Sequence, residues 1–129
     1  MKSAIQLLNA YLDSVRDTET ASQLFAPDGA LELPYLETMG YTWRAKGPTE
    51  VKAFLDNVHA LFKDFKFHSR QVFIDLPDQV FAEYEVTTSV LKNGRPFHQL
   101  YMGRLVASNG KIKLLREALN TVATERALA

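Results

Sequence analysis

The chain has 129 residues, enough for one domain with its own core, and it reads as a single domain over residues 1–129. Lys plus Arg number 15, as do Asp plus Glu, so the formal net charge is zero, which argues against a nucleic-acid partner with its need for a basic footprint. No apolar run reaches transmembrane length, and the lack of Cys excludes disulfides, thiolate metal sites and Cys nucleophiles.

Met1-Lys2-Ser3-Ala4 leads straight into an amphipathic pattern, without the apolar block of a signal peptide, so the cytoplasm is the expected compartment. From Ser3 to Arg16, Ile5, Leu8, Tyr11, Leu12 and Val15 recur at spacings of three and four, which predicts a helix with one apolar stripe. Ser3 with Gln6 resembles a capping box. Asp17 or Thr18 then caps a second, shorter helix running to about Phe25. Pro27-Asp28-Gly29 reads as a turn, and Ala30 to Leu33 as a short strand that stops at Pro34. The stretch from Tyr35 to Lys46 is irregular, with a short edge strand around Thr42 to Ala45 and the only Trp, Trp43. Gly47-Pro48 opens a third helix, with Val51, Phe54, Leu55, Val58, Leu61 and Phe62 on its buried face.

After Asp64 the period changes to two. Strands are expected over Phe65–Asp75 and Gln79–Lys92, followed by a closing hairpin from Phe97 to Asn120 and a short tail, helical in pattern. Asn93-Gly94 and Asn109-Gly110 are hairpin turns. If Asn109 and Gly110 alone form the loop, Met102 faces Glu117 and Arg104 faces Leu115, on a face shared with Leu100, Val106 and Leu119. That face, which also takes Ser108, Lys111 and Lys113 near the turn, is mostly apolar with one acid, Glu117, diagonal to Arg104, and an acid so placed must pair or have its pKa raised. The order of elements predicts an α+β layout with helices on one face of a curved sheet. The other face also carries apolar residues, and a second copy is the expected cover, giving a homodimer through the sheet.

Four stretches together resemble the SnoaL-like, ketosteroid-isomerase-like branch of the nuclear transport factor 2-like superfamily: LFAPDGALELPY at 24–35, KGPTEVKAFL at 46–55, NGRPF at 93–97 and NGKIKLLREALN at 109–120. The resemblance implies a cone, a curved antiparallel or mixed sheet with three helices enclosing a pocket. Such folds host isomerases, cyclases, hydrolases, dehydratases and binding proteins alike. In ketosteroid isomerases a helix-1 Tyr matches Tyr11, but their base falls on Leu33, their protonated Asp on Met102 and their supporting Tyr on Leu55, so the steroid isomerase mechanism lacks its proton acceptor here. The phenazine-biosynthesis condensing proteins share the R-E-x-x-N ending, which puts their acid–base Glu on Glu117, but their His falls on Phe54.

The resemblance also bears on which face is which. A strict two-residue loop at Asn93-Gly94 pairs even positions of residues 79–92 with odd positions of the next strand. The family alignment instead puts Tyr84, Val86, Thr88 and Val90 on the face of Leu100 and Met102, which requires a bulge, for which Pro96 is the natural site. That arrangement is the one expected here. It leaves His98 near the rim and Glu83 and Glu85 outside the pocket.

The candidate catalytic residues are Glu117 as acid–base group, Arg104 to tune it or hold an anionic substrate group, and Tyr11 to stabilise an oxyanion. Structural readings stand beside each: an ion pair between Glu117 and Arg104, and a core tyrosine. The expected lining is Leu33, Phe54, Leu55, Val58, Tyr84, Val86, Thr88, Leu100, Met102, Leu115 and Leu119, with Trp43 as a lid or a local core anchor. His59, His68 and His98 lack metal-ligand spacing. The expected ligand is a small, apolar, cyclic or polyketide-like molecule. The expected activity is isomerase, cyclase, dehydratase or condensing chemistry without cofactor or metal. The competing class is a non-catalytic ligand-binding or dimer-interaction module.

Overall fold

The computed structural model describes residues 1–129. Helix α1 spans Ala4–Ser14, with Ser3 and Gln6 closing the predicted capping box. Its stripe of Leu7, Leu8, Tyr11 and Leu12 is buried. Helix α2, Thr18–Ser22, is capped by Asp17, whose carboxylate accepts from the Thr20 amide. It ends three residues before the expected Phe25, because strand β1 already begins there and runs Phe25–Glu32. A 3₁₀ helix, Pro34–Met39, occupies part of the stretch read as irregular, and β2, Arg44–Lys46, follows. Helix α3 spans Gly47–Leu61 with Pro48 in its first turn, where a missing N–H leaves no helical bond unmade. Strands β3 (Phe67–Leu76), β4 (Gln79–Ser89), β5 (Pro96–Ser108) and β6 (Lys111–Ala118) precede α4 (Thr121–Leu128).

The six strands form one curved, unclosed sheet in the order β2-β1-β6-β5-β4-β3. All neighbours are antiparallel except β1 and β6. The core lies between the concave face and the helices, where Leu7, Leu8, Leu31, Val51, Leu105, Ile112 and Leu115 are sealed from solvent. No helix is long and apolar enough to cross a membrane.

The facing of β5 differs from expectation. The β4–β5 pairing runs Thr88↔Phe97, Val86↔Gln99, Tyr84↔Tyr101 and Ala82↔Gly103 without interruption. The loop around Asn93-Gly94 is longer than two residues, since Ser89 pairs with Pro96, but the even-to-odd parity expected of the shorter turn holds, and no bulge forms at Pro96. Phe97, Gln99, Tyr101, Gly103 and Leu105 point inward, while Leu100, Met102 and Arg104 point outward.

The bulge lies in the other hairpin. Asn109 and Gly110 both take positive φ, as the two-residue turn requires, and Ser108↔Lys111 and Ala107↔Ile112 pair as expected. Then Val106 pairs with Leu114, skipping Lys113. The cause sits on the neighbouring strand. Between Phe25 and Ala30 the β1–β6 register also slips, around Pro27-Asp28-Gly29. Pro27 has no N–H for the ladder, so β1 bows out, and β6 bows with it. Lys113, the extra residue, bonds Asp28 across the gap. The slip moves every later partner by one: Glu117 faces Gly103 rather than Met102, and Arg104 faces Arg116.

Candidate functional site

Between the concave face, α3, the 3₁₀ helix and α4 lies a cavity of about 570 Å³. Of its 24 lining residues 17 are hydrophobic, so whatever fills it must present a mainly apolar surface. Phe54 and Val58 reach it from α3, Phe65 and Phe67 from the start of β3, Leu119, Thr124 and Leu128 from the C-terminal segment, and Tyr41 and Thr42 from the mouth.

Glu117 is set into this apolar wall and is only 3 % exposed. No basic side chain pairs with it. Its Oε2 accepts a hydrogen bond from the Tyr84 hydroxyl. Tyr84 stands two residues from the strand pair facing Glu117, and it reaches the acid by lying across Gly103, where a Cβ would collide with its hydroxyl. A glycine within a strand often marks such a close approach.

Two further phenols surround the acid. Tyr11 arrives from α1 and Tyr101 from β5, and both line the cavity. Phe67 ties the group together, with ring centroids 6.2 Å from Tyr11, 5.1 Å from Tyr84 and 5.7 Å from Tyr101. No buried side-chain nitrogen or oxygen is sealed off without a partner. Glu117 Oε1 and the hydroxyls of Tyr11 and Tyr101 make no hydrogen bond to protein, so all three open onto the cavity.

Burial governs the titration of this group. Desolvation pushes the Glu117 carboxyl from its ordinary 4.5 up to about 7, with the Tyr84 hydrogen bond pulling the other way. Burial, and then the charge of Glu117, pushes Tyr11, Tyr84 and Tyr101 all upward, which keeps their protons on at neutral pH. The cavity therefore presents an acid able to give or take a proton near neutrality, beside two free O–H donors. No cluster of three or more His, Asp or Glu is placed to hold a metal ion.

The SnoaL-like domain family matches residues 7–115. The chain belongs to that family. No curated protein matches it in a sequence comparison. Among solved structures, a proposed isomerase from Bacillus subtilis superposes with a TM-score of 0.85 at 19% identity, covering 97% of this chain and 91% of that one. A phenazine biosynthesis-related protein from Pseudomonas aeruginosa gives 0.82 at 22% identity, over 97% and 84% of the two chains. A proposed polyketide cyclase from Xanthomonas campestris gives 0.83 at 18% identity, over 98% and 96%. At such identities the likeness is one of fold, and the fold is the nuclear transport factor 2-like, ketosteroid isomerase-like cone.

Within this SnoaL-like chain the residues singled out in the sequence divide into three groups, with Trp43 apart from them. Glu117, Tyr11, Leu33, Phe54, Leu55, Val58 and Leu119 meet at the cavity. Tyr84, Val86 and Leu115 point inward but are sealed in the core behind it, and the Thr88 hydroxyl is bonded to the Lys63 carbonyl. Leu100, Met102 and Arg104 are on the convex face, because the bulge is at Lys113 and not at Pro96. Arg104 reaches only Gln79, at 3.5 Å, so its expected pairing with Glu117 does not form. Trp43 packs against the core edge, its carbonyl accepting from the Leu33 amide at 2.7 Å, and takes no part in the cavity wall. Met102, matched to the protonated Asp of the steroid isomerases, faces away, and the inward residues beside it are Tyr101 and Gly103.

His98 bonds Glu85 at 2.7 Å on the convex face, and His59 bonds the Val15 carbonyl at 2.8 Å. Tyr101 and Gly103 were missed as site residues. The lone glycine inside an otherwise regular strand was the signal that could have found both.

Proposed function

We propose that this protein catalyses proton transfer on a small, apolar, cyclic or polyketide-like carbonyl compound, with Glu117 as the acid–base group. In its carboxylate form, Glu117 Oε1 removes a proton from carbon next to the carbonyl. The electron pair moves onto the carbonyl oxygen, and the hydroxyls of Tyr11 and Tyr101 hydrogen-bond the enolate as it forms. Glu117, now protonated, returns the proton to another atom of the same molecule. Delivery to a second carbon gives isomerisation. Delivery to a leaving hydroxyl gives dehydration, and attack of the enolate carbon on a second carbonyl of the same molecule, whose oxygen then takes the proton from Glu117, gives ring closure. Arg104, turned away from the cavity, has no part in these steps.

The observation that carries this reading is a buried carboxyl with no cation beside it and one oxygen open to the chamber. An acid held only for structure is expected to have its charge balanced. A thermal-shift screen with aromatic and polyketide-like acids, run on the wild type and on Glu117→Gln, tests it. A compound that stabilises the wild type and is converted by it but not by the variant supports the proposal. If no compound stabilises the wild type, the small-molecule reading fails. A compound held equally by both and never converted marks a binding module instead.

The convex face supports a second copy as partner. Ile74, Leu76, Leu100 and Met102 leave a third or more of their surface open there, and β3 is an unpaired edge. Sedimentation over a range of concentrations is expected to show a dimer that Met102→Glu dissociates. A wild type that stays monomeric would remove this part of the reading.

A further inference from the structure

We propose that Tyr84 is a positioning residue for Glu117: it clamps Oε2 and thereby leaves Oε1 as the only carboxyl oxygen able to exchange a proton with a molecule in the cavity. The inference deepens the acid–base reading of the same site and rests on it.

Tyr84 is fully buried on β4 and does not line the cavity, so it cannot touch a substrate. It nonetheless spends its hydroxyl on Glu117. The contact depends on an arrangement wider than one hydrogen bond. Gly103 faces both Ala82 and Glu117 across the ladder, and the phenol lies over the space its missing side chain leaves. Any other residue at position 103 would push the hydroxyl off the acid. Stacking on Tyr101, with centroids 6.0 Å apart, and an edge contact from Phe67 fix the ring from two sides. A carboxyl with two equivalent free oxygens would rotate and present either. With one oxygen bonded to a ring that is itself wedged, the other holds a single direction, which is what a proton transfer between fixed atoms requires.

The same bond bears on when the acid is charged. The groups facing Glu117 are the phenols of Tyr11 from α1, Tyr84 from β4 and Tyr101 from β5. Arg44 from β2 and Glu50 from α3 also belong to the cavity wall, but neither bonds the acid: Arg44 Nε is taken by Glu32, and Glu50 accepts from the Lys46 amide. Tyr84 is thus the one protein donor that favours the carboxylate against the desolvation that opposes it.

The test reads Glu117 directly and needs no substrate. The carboxyl is titrated by infrared difference spectroscopy in the wild type and in Tyr84→Phe, with Glu117→Gln identifying its band. Loss of the hydroxyl is expected to raise the midpoint by about one pH unit, roughly tenfold in proton affinity. A folded Tyr84→Phe variant with an unmoved or lowered midpoint overturns the proposal. Should that variant fail to fold, 3-fluorotyrosine placed at position 84 alone keeps the ring's shape and makes it a stronger donor. It is then expected to lower the midpoint, and an unmoved midpoint overturns the proposal equally. The wild-type midpoint judges the other reading separately: a value in the ordinary carboxyl range would count against Glu117 as the acid–base group, whatever the two variants do relative to it.

Discussion

Two buried glutamates sit on neighbouring strands of the same sheet, and their surroundings could hardly differ more. Glu32, 7 % exposed on the convex face, accepts from Arg44 Nε at 2.8 Å and from Arg116 Nε at 2.9 Å. Glu117, next in sequence to that Arg116, turns to the concave face and meets only phenols and hydrocarbon. One carboxylate has both oxygens bonded and its charge more than balanced. The other has one oxygen bonded by a neutral group and the second open to a chamber. Burial alone therefore says little about what an acid does. What separates a strut from a reagent is whether a cation shares the burial.

The strongest way to break this contrast is to remove the proposed acid–base group. Glu117→Gln keeps the shape and a hydrogen bond to Tyr84 but cannot carry a proton back and forth. Turnover of any converted compound is expected to fall by about 10²–10⁴-fold, the usual contribution of a positioned acid–base group. A smaller loss would move the chemistry to another residue.

The next effect is on stability. The Glu117 carboxyl ordinarily titrates at 4.5 and is held at about 7 in the folded chain, so between these values the folded state binds the extra proton. Its contribution to stability is full below about pH 4.5 and is lost as pH rises through about 7, to a total of roughly 3 kcal/mol. Urea unfolding followed from pH 4.5 to 7.5 is expected to show the wild type falling against Glu117→Gln, whose curve lacks this slope. Parallel curves would mean that the acid is charged at low pH despite its burial.

Glu32→Gln sharpens the comparison from the other side. It leaves Arg44 and Arg116 facing each other without their shared anion. Both guanidinium groups are about half exposed, so water screens much of the penalty, and a loss of about 1–2 kcal/mol is expected. Any effect on ligand binding should be small and should pass through Arg44 alone, the one partner of Glu32 that also belongs to the cavity wall. A loss of ligand binding with little loss of stability would reverse the roles assigned to the two acids.

How much of this could be read from the residues follows the range of the interactions. The cap of α1 and most of the apolar stripes of α1 and α3 were legible because they depend on residues three and four apart, such as Ser3 with Gln6, although Leu61 at the end of α3 is exposed. The Asn109-Gly110 turn was legible for the same reason, whereas the loop at Asn93-Gly94 is longer than the two residues expected, with Val90 bonded to Arg95 and no positive φ at Asn93. The facing of β5 was not, because it depends on which of two local rules yields. The turn at Asn93-Gly94 kept its parity, and the register slipped instead at Lys113, where a proline 86 positions earlier in the chain distorts the neighbouring strand. Glu117 survived this error because the slip moved its partner and not its own facing. Leu100, Met102 and Arg104 did not, and Tyr101 and Gly103 took the inward places.

The smallest expected effect tests that correction. In the register read from the turn alone, Arg104 lies beside Glu117, and removing it would strand a buried carboxylate, at a cost of several kcal/mol with a marked rise in its pKa. In the register observed, Arg104 faces Arg116 on the convex face, and its one side-chain hydrogen bond goes to Gln79. Arg104→Ala should then change the unfolding free energy by no more than about 0.5 kcal/mol. It should leave the Glu117 midpoint where the wild type has it, because the variant side chain and the acid are on opposite sides of a continuous sheet. The two registers differ by one residue, yet they predict effects that differ severalfold, so one unfolding curve and one titration decide between them.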